Sequence, residues 1–444
     1  MGDYFHSVVL EEDLCMGCTN CIKKCPTDAI RVQGGKARIM KERCIDCGEC
    51  VRNCPYKAKV AMTDPLEKMA DFRYTIALPA PTLYLQYDIS KFGRDKILTA
   101  LKMIGFDYVY EVARGAEIVT KASNMYLRNH DEPRPMISSA CPAIVRLIQV
   151  RFPNLLSQIM PVKSPMEVAA LNARREFCER NPEASPEDIG VFFISPCAAK
   201  MTSVKNPIEV ENSGVDGVFS IKSVFFKLLK QMGKIKNAEN ILQAGFGGVR
   251  WATIGGEAKG IESDNILYVD GIQNVIRIFE QLEDDKLKDV DFIEAAACPG
   301  GCLGGPLTVE NMYVAKTRNF RLKFVLPKML NEVTETELDK TAFDRYPEHI
   351  DVSTLDSDLS VALQKLNKMD ELCSMLPALD CGACGAPSCR ALSEDIVRGK
   401  AKLTDCVFVL KEKVRNLAKE MIELENMLPP TLDNKSSGKA KGDF

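Results

Sequence analysis

A chain of 444 residues, 46% apolar and 27% charged, has an ordinary globular composition and room for roughly two to four domains of about 150 residues each. No apolar run approaches the length of a membrane span, and a net charge of -3 lacks the Lys/Arg excess that nucleic-acid phosphates demand. The opening MGDYFHSVVLEEDL shows no basic stretch followed by an apolar one, so no secretory leader is expected and the cytoplasm is the expected compartment. Eighteen cysteines in a long cytosolic chain mean metal or redox chemistry rather than disulfides. With His6, His130 and His349 the only histidines, thiolate sites for iron-sulfur clusters or zinc are favoured over imidazole ones.

Along the chain, the first feature is an internal repeat. Cys15, Cys18, Cys21 and Cys25-Pro26 recur with the same spacing as Cys44, Cys47, Cys50 and Cys54-Pro55. Three thiolates spaced by two residues wrap one face of a 4Fe-4S cubane, and the fourth ligand comes from the other repeat. One cluster therefore takes Cys15, Cys18, Cys21 and Cys54, and the other takes Cys44, Cys47, Cys50 and Cys25. A pair of zinc knuckles would explain neither the third cysteine of each triplet nor the prolines. Residues 1–70 resemble bacterial two-cluster ferredoxins, and two neighbouring cubanes imply a relay for single electrons.

From residue 71 to about 310, short apolar runs alternate with helical periodicity, which reads as α/β with a parallel sheet. TIALPA, PMISSA, IGVFFIS and DFIEAAA are the expected strands, and KILTALKMIGF and FKLLKQM the expected helices. Three strands run straight into cysteine loops: Ser138-Ser139-Ala140-Cys141-Pro142, Ser195-Pro196-Cys197-Ala198-Ala199-Lys200, and Ala297-Cys298-Pro299-Gly300-Gly301-Cys302. Ligands of open α/β sheets bind at the carboxyl ends of strands, so these loops should converge on one site. Four cysteines there suffice for a third cubane.

The three loops resemble the signature motifs of the catalytic domain of FeFe hydrogenases. Ala80-Pro81-Thr82, Gly115-Ala116-Glu117 and Lys163-Ser164-Pro165 are further matches. The resemblance implies a cubane held by Cys141, Cys197, Cys298 and Cys302, with Cys302 bridging to a di-iron unit that carries CO, CN and azadithiolate. It also implies Lys200 and Thr82 as donors to the cyanides, packing by Ala80 and Pro81, Ser164 as a second hydroxyl, and close backbone approach at Gly300 and Gly301. The expected fold is an α/β catalytic domain of two parallel-sheet lobes around the active-site cluster. An α+β ferredoxin-like N-terminal domain and a small helical iron-sulfur C-terminal domain flank it.

Several positions depart from the family's pattern. Ala140 stands where active members carry a proton-passing cysteine, and Ala122, Ser123 and Tyr126 fall on or near their acidic relay. Ser195 and Ala296 replace methionines of the di-iron pocket, and Met166 replaces a glutamine. These losses resemble the sensory branch of the family, in which the cluster is kept and high turnover is not. Glu257 and Glu294 are the acidic residues nearest in sequence to the site loops, and they are the candidates for another proton route.

Residues 311–372 are expected to form a helical linker region. In 373–428, Cys381, Cys384, Cys389 and Cys406, set among glycines, are expected to hold a fourth cubane, in a pattern resembling the small iron-sulfur domain of some electron-transport and corrinoid proteins. Cys178 and Cys373 are left as structural thiols. Leu410, Val414, Leu417, Met421, Leu424 and Leu428 then step by four and three, a short heptad seam that could join two copies of the chain. Residues 429–444 have the composition of a disordered tail.

The expected activity is H2 sensing or slow reversible H2 oxidation and proton reduction, with four 4Fe-4S clusters relaying electrons. The expected partners are H2 and protons, a redox protein, a signalling partner and a second copy of the chain. The alternatives are a hydrogenase-like iron-sulfur scaffold and an electron-transfer protein, both without the di-iron unit.

Overall fold

The computed structural model describes residues 4–129 and 133–427. The chain divides into two compact units, Met1–Val352 and Ser353–Phe444. Among the described residues no helix is long and apolar enough to cross a membrane.

The first unit opens with two small antiparallel pairs. Strand β1 (Val8–Leu10) pairs with β4 (Lys59–Ala61), and β2 (Ile30–Gln33) pairs with β3 (Lys36–Ile39). Val8, Ile22, Ile30 and Ala37 are buried together with Cys15, Cys21 and Cys50, so the apolar core of this segment and its thiols are one cluster. A core this small is of the kind that a bound metal group stabilises.

Two parallel sheets follow. In the larger, β6 (Tyr108–Val109), β5 (Tyr74–Pro79), β8 (Ile189–Ser195) and β9 (Gly217–Ser220) lie side by side in that order. In the smaller, β10 (Ile266–Asp270), β11 (Phe292–Ala296) and β7 (Met136–Ile137) do the same. The strand at Met136–Ile137 is shorter than the run PMISSA suggests, although the Ser138 amide still donates to Ile293 O at 2.9 Å. Both faces of β8 are buried, which is why IGVFFIS reads as a continuous apolar run rather than an alternating one. Phe192 and Phe219 face the helices Ile89–Met103 and Ile221–Met232 through Ile97, Leu101, Val224 and Leu228. On the opposite face, Val191 and Phe193 pack with Ala169 and Ala173 of the helix Pro165–Arg180. In the smaller sheet, Ile293 and Ala295 pack on Ile144 and Ile148 of the helix Pro142–Arg151 and on Val275 and Phe279 of the helix Ile272–Glu283.

The segment 311–372 is divided between the units. Helix Met312–Leu322 and the short Glu335–Leu338 belong to the first, and Leu359–Ser374 to the second. Residues 339–352 carry no helix and run along the first unit as a strap, with Lys163 N bonded to Thr341 O at 2.8 Å and Ile350 N to Gln149 O at 2.9 Å. In the second unit, Leu376, Ala386, Ala391, Leu392 and Cys406 form a small core against which Cys384 and Cys389 pack. Its last helix, Val407–Asn426, leaves Leu410, Val414, Leu417, Met421 and Leu424 all exposed. Leu428, the tail 429–444 and His130 lie outside the described residues.

Gly115, on the helix Val112–Asn129, is where that helix crosses Pro165–Arg180. A methyl added there would sit 2.4 Å from Pro165 O and 3.1 Å from Ala169 Cβ. An open mid-helix glycine gains up to about 1 kcal/mol on replacement by alanine. Here overpacking reverses the sign, and Gly115→Ala should lower the stability of the folded chain by about 1–3 kcal/mol in thermal or denaturant unfolding. Equal or higher stability would show that the crossing is not tight.

Candidate functional site

The carboxyl ends of β5, β7, β8 and β11 meet at a cavity of about 130 Å³, room for a polyatomic group rather than a single water. Cys141, Cys197, Cys298 and Cys302 all line it. Cys141 caps the helix Pro142–Arg151 and Cys197 caps the helix Ala198–Lys205, so two helix N-termini point their partial positive charge toward the sulfurs. Cys302 sits in a tight turn over Gly301–Gly304. Gly301 has a φ of 77° and its added methyl would meet Ile254 N at 2.6 Å, so glycine is required for that turn to close on the cavity.

Burial, then the charges of Cys298 and Cys141, push the Cys197 thiol up to about 12. Burial, then Cys197, Cys141 and Cys298, push Cys302 well above the ordinary thiol range. Four sulfurs around one cavity can all be thiolates only when a bound cation offsets their charge, and a cubane's iron does that. The polar groups of the wall fit a larger inorganic group as well. Thr82 Oγ1 lines the cavity, is fully buried and has no hydrogen-bond partner; Ser164 Oγ is buried and equally unpartnered, although it does not line the cavity itself. Lys200 lines the cavity, and no ion pair or hydrogen bond of its ammonium is found among the described residues. A buried donor left without an acceptor costs about 1–3 kcal/mol, so such groups mark a place for a ligand.

Ala80, Pro81, Ala140, Met166 and Ala296 also face the cavity. Ser195 and Gly300 do not. The Ser195 hydroxyl accepts from Cys197 N at 3.0 Å and donates to Cys197 O at 3.1 Å, which shapes the ligand loop, and Gly300 N donates to Asp270. Ala122 and Ser123 are buried in the helix Val112–Asn129, away from the cavity lining.

Glu257 and Glu294 both line the cavity. Ser138 Oγ donates to Glu257 Oε2 at 2.6 Å, and Glu294 accepts from Gly255 N at 3.0 Å and Ala258 N at 2.7 Å. Burial, then the charge of Glu294, holds Glu257 well above the carboxylate range, and burial raises Glu294 to about 7. Ser138, which the first cysteine loop marks, completes this wall with Trp251 and Thr253, whose local sequence does not mark them as site residues. Arg52, from the ferredoxin-like segment, donates from Nη1 to Cys298 Sγ at 3.2 Å.

Two smaller cavities lie in the N-terminal segment. Cys15, Cys18, Cys21 and Cys54 line one, and Cys25, Cys44, Cys47 and Cys50 line the other, each set drawn from both halves of the repeat. Backbone amides donate to the sulfurs, from Ala58 to Cys54 and from Ala29 to Cys25, both at 3.2 Å. In the second unit Cys384, Cys389 and Cys406 share one cluster, and left-handed turns at Gly382 and Gly385 flank Cys384. Cys178 and Cys373 are half-buried thiols outside all of these groups.

Residues 73–240 and 231–306 match the family model for the iron only hydrogenase large subunit, C-terminal domain. Residues 7–55 match a 4Fe-4S dicluster domain, and residues 376–408 a putative Fe-S cluster domain. The chain is similar to the periplasmic Fe hydrogenase large subunit of Nitratidesulfovibrio vulgaris, 26% identical over 68% of this chain and 86% of that one. It is also similar to iron hydrogenase 1 of Clostridium pasteurianum, 25% identical over 51% of this chain and 49% of that one. A solved structure of FeFe-hydrogenase HydA1 from Chlamydomonas reinhardtii shares 16% identity over 58% of this chain and 86% of that one, with a TM-score of 0.45.

The raised carboxyl of Glu294 makes stability depend on pH. Below about 4.5 the group is protonated whether the chain is folded or not; above that the unfolded chain ionises while the folded one resists until about 7. Stability should therefore fall as pH rises from 5 to 7, and Glu294→Gln should flatten that fall in thermal melts of the cluster-loaded protein. A slope unchanged by the substitution would show that Glu294 ionises freely in the fold.

Proposed function

Since its match to the family model covers more than half of its length, this chain belongs to the iron-only hydrogenase large-subunit family, and we propose that it acts on H2 slowly or as a sensor. The observation that carries the reading is one cavity lined by four cysteines, the orphaned Thr82 hydroxyl and the unpartnered Lys200. Cys141, Cys197, Cys298 and Cys302 would hold a cubane, and the same cavity would hold a di-iron unit beside it. That unit, with its carbonyl, cyanide and azadithiolate ligands, supplies the heterolytic cleavage and formation of H2. Thr82 Oγ1 and the Lys200 ammonium are the donors that would meet its cyanides, and Ala80, Pro81 and Met166 would exclude water beside them. A hydrogenase-like scaffold or electron-transfer protein without the di-iron unit would leave the buried Thr82 hydroxyl unsatisfied.

Ala140 is the reason for expecting low turnover. Its methyl fills a place on the cavity wall and can neither take nor give a proton. Protons move instead over Ser138 Oγ and the Glu257 carboxyl, with Glu294 in the same wall sharing the charge. The two N-terminal cysteine sets would hold the cubanes of a single-electron relay, and Cys381, Cys384, Cys389 and Cys406 would hold one that serves a redox or signalling partner. The cytoplasm suits sixteen ligand thiolates that an oxidising compartment would pair, whereas the similar Nitratidesulfovibrio vulgaris protein is named periplasmic. The exposed seam of the last helix joins two copies of the chain.

Infrared spectra of the anaerobically matured protein, supplied with a synthetic di-iron precursor, should show carbonyl and cyanide bands; their absence would leave only a cluster relay. In the same preparation Glu257→Gln and Glu294→Gln should each lower H2 turnover by about 100-fold. Native rates in both would end the proton route. Leu417→Glu with Met421→Glu should convert a sedimenting dimer to a monomer with unchanged helicity, and no change in oligomeric state would remove the seam's role.

A further inference from the structure

Arg52 has no place in the reading above. It lies on the short helix Glu49–Arg52, between ligands Cys50 and Cys54 of the ferredoxin-like segment, yet its guanidinium reaches the other site. Nη1 donates to Cys298 Sγ at 3.2 Å and to Gly304 O at 3.4 Å. Nη2 is held by the Glu49 carboxylate, which also accepts from Asn53 Nδ2 at 2.6 Å. Both charged side chains are mostly buried, 19% and 17% exposed, so water screens the pair little. The backbone is tightly seated here too. Gly48 has a φ of 72°, and a methyl added to it would lie 2.7 Å from Pro306 Cγ, directly after the ligand loop.

We propose that Arg52 is a positioning residue that raises the reduction potential of the catalytic cubane through its charged hydrogen bond to the Cys298 sulfur, with Glu49 moderating its charge. The proposal rests on the reading of Cys298 as a ligand. A cubane gains one negative charge on reduction, so a fixed cation on a ligand sulfur favours the reduced form. Potentials of such clusters follow net charge, hydrogen bonds to sulfur and solvent exposure. The ferredoxin-like segment thus does more than carry electrons past the site. It supplies the group that makes the catalytic cubane the better electron acceptor, and an electron arriving through the relay is retained beside the di-iron unit.

The test is an infrared-monitored redox titration of the matured full chain, since the carbonyl bands respond to the cubane linked to the di-iron unit. Arg52→Gln should shift that midpoint to more negative potential, Arg52→Lys by less, and Glu49→Gln should shift it the opposite way. Electron paramagnetic resonance titration of the two N-terminal cubanes should show a smaller shift than the catalytic one. An unchanged or more positive midpoint in Arg52→Gln, or a larger shift in the N-terminal pair, overturns the proposal. Should Arg52→Gln fail to mature, Glu49→Gln decides alone, and no positive shift overturns it. A native protein with no carbonyl bands removes the reading of the site along with this one, whereas native bands with an immovable midpoint remove this one only.

Discussion

Four sulfurs in one buried cavity are an electrostatic burden that this fold cannot carry by itself. Burial and the neighbouring sulfurs together push the Cys197 and Cys302 thiols above the ordinary range. The surroundings answer that burden with positive charge: two helix N-termini at Cys141 and Cys197, the Arg52 guanidinium on Cys298, and Lys200 on the cavity wall. Such an arrangement makes sense around a cluster whose net charge is negative.

The same wall also carries two acidic side chains. Glu257 and Glu294 are buried carboxyls supported by Ser138 and by the amides of Gly255 and Ala258. A buried carboxyl with few donors keeps its proton, which is the state from which a proton can be passed. The cavity thus gathers cationic groups, two protonated carboxyls and the methyl of Ala140 in one lining.

Much of this was legible from residue order. The doubled cysteine run predicts two sets of four thiols from its own spacing, because a cubane fits three thiols two residues apart and a fourth from a distance, and the two sets line two separate cavities. Strands at Tyr74–Pro79, Ile189–Ser195 and Phe292–Ala296 follow from apolar runs, and the loops after them follow from the rule that sites lie at the carboxyl ends of parallel strands. Residue order was less informative over 311–372, where helical patterning does not show that residues 339–352 run along the first unit as a strap. Ser195, adjacent to a ligand, was a reasonable pocket residue, yet its hydroxyl turns back onto the Cys197 backbone.

Sequence by itself determined the number of thiol groups, the pairing of the N-terminal repeats and the parallel α/β character, because each depends on spacing along a few dozen residues. Tertiary structure alone decided that Trp251 and Thr253 join the four-cysteine cavity and that Arg52 reaches Cys298. Glu257 and Glu294 sit 37 positions apart on a loop and on β11, and Arg52 lies 246 positions from Cys298. No local pattern encodes such meetings, since they depend on how two sheets and a ferredoxin-like segment pack, and packing is settled by burial summed over the whole core.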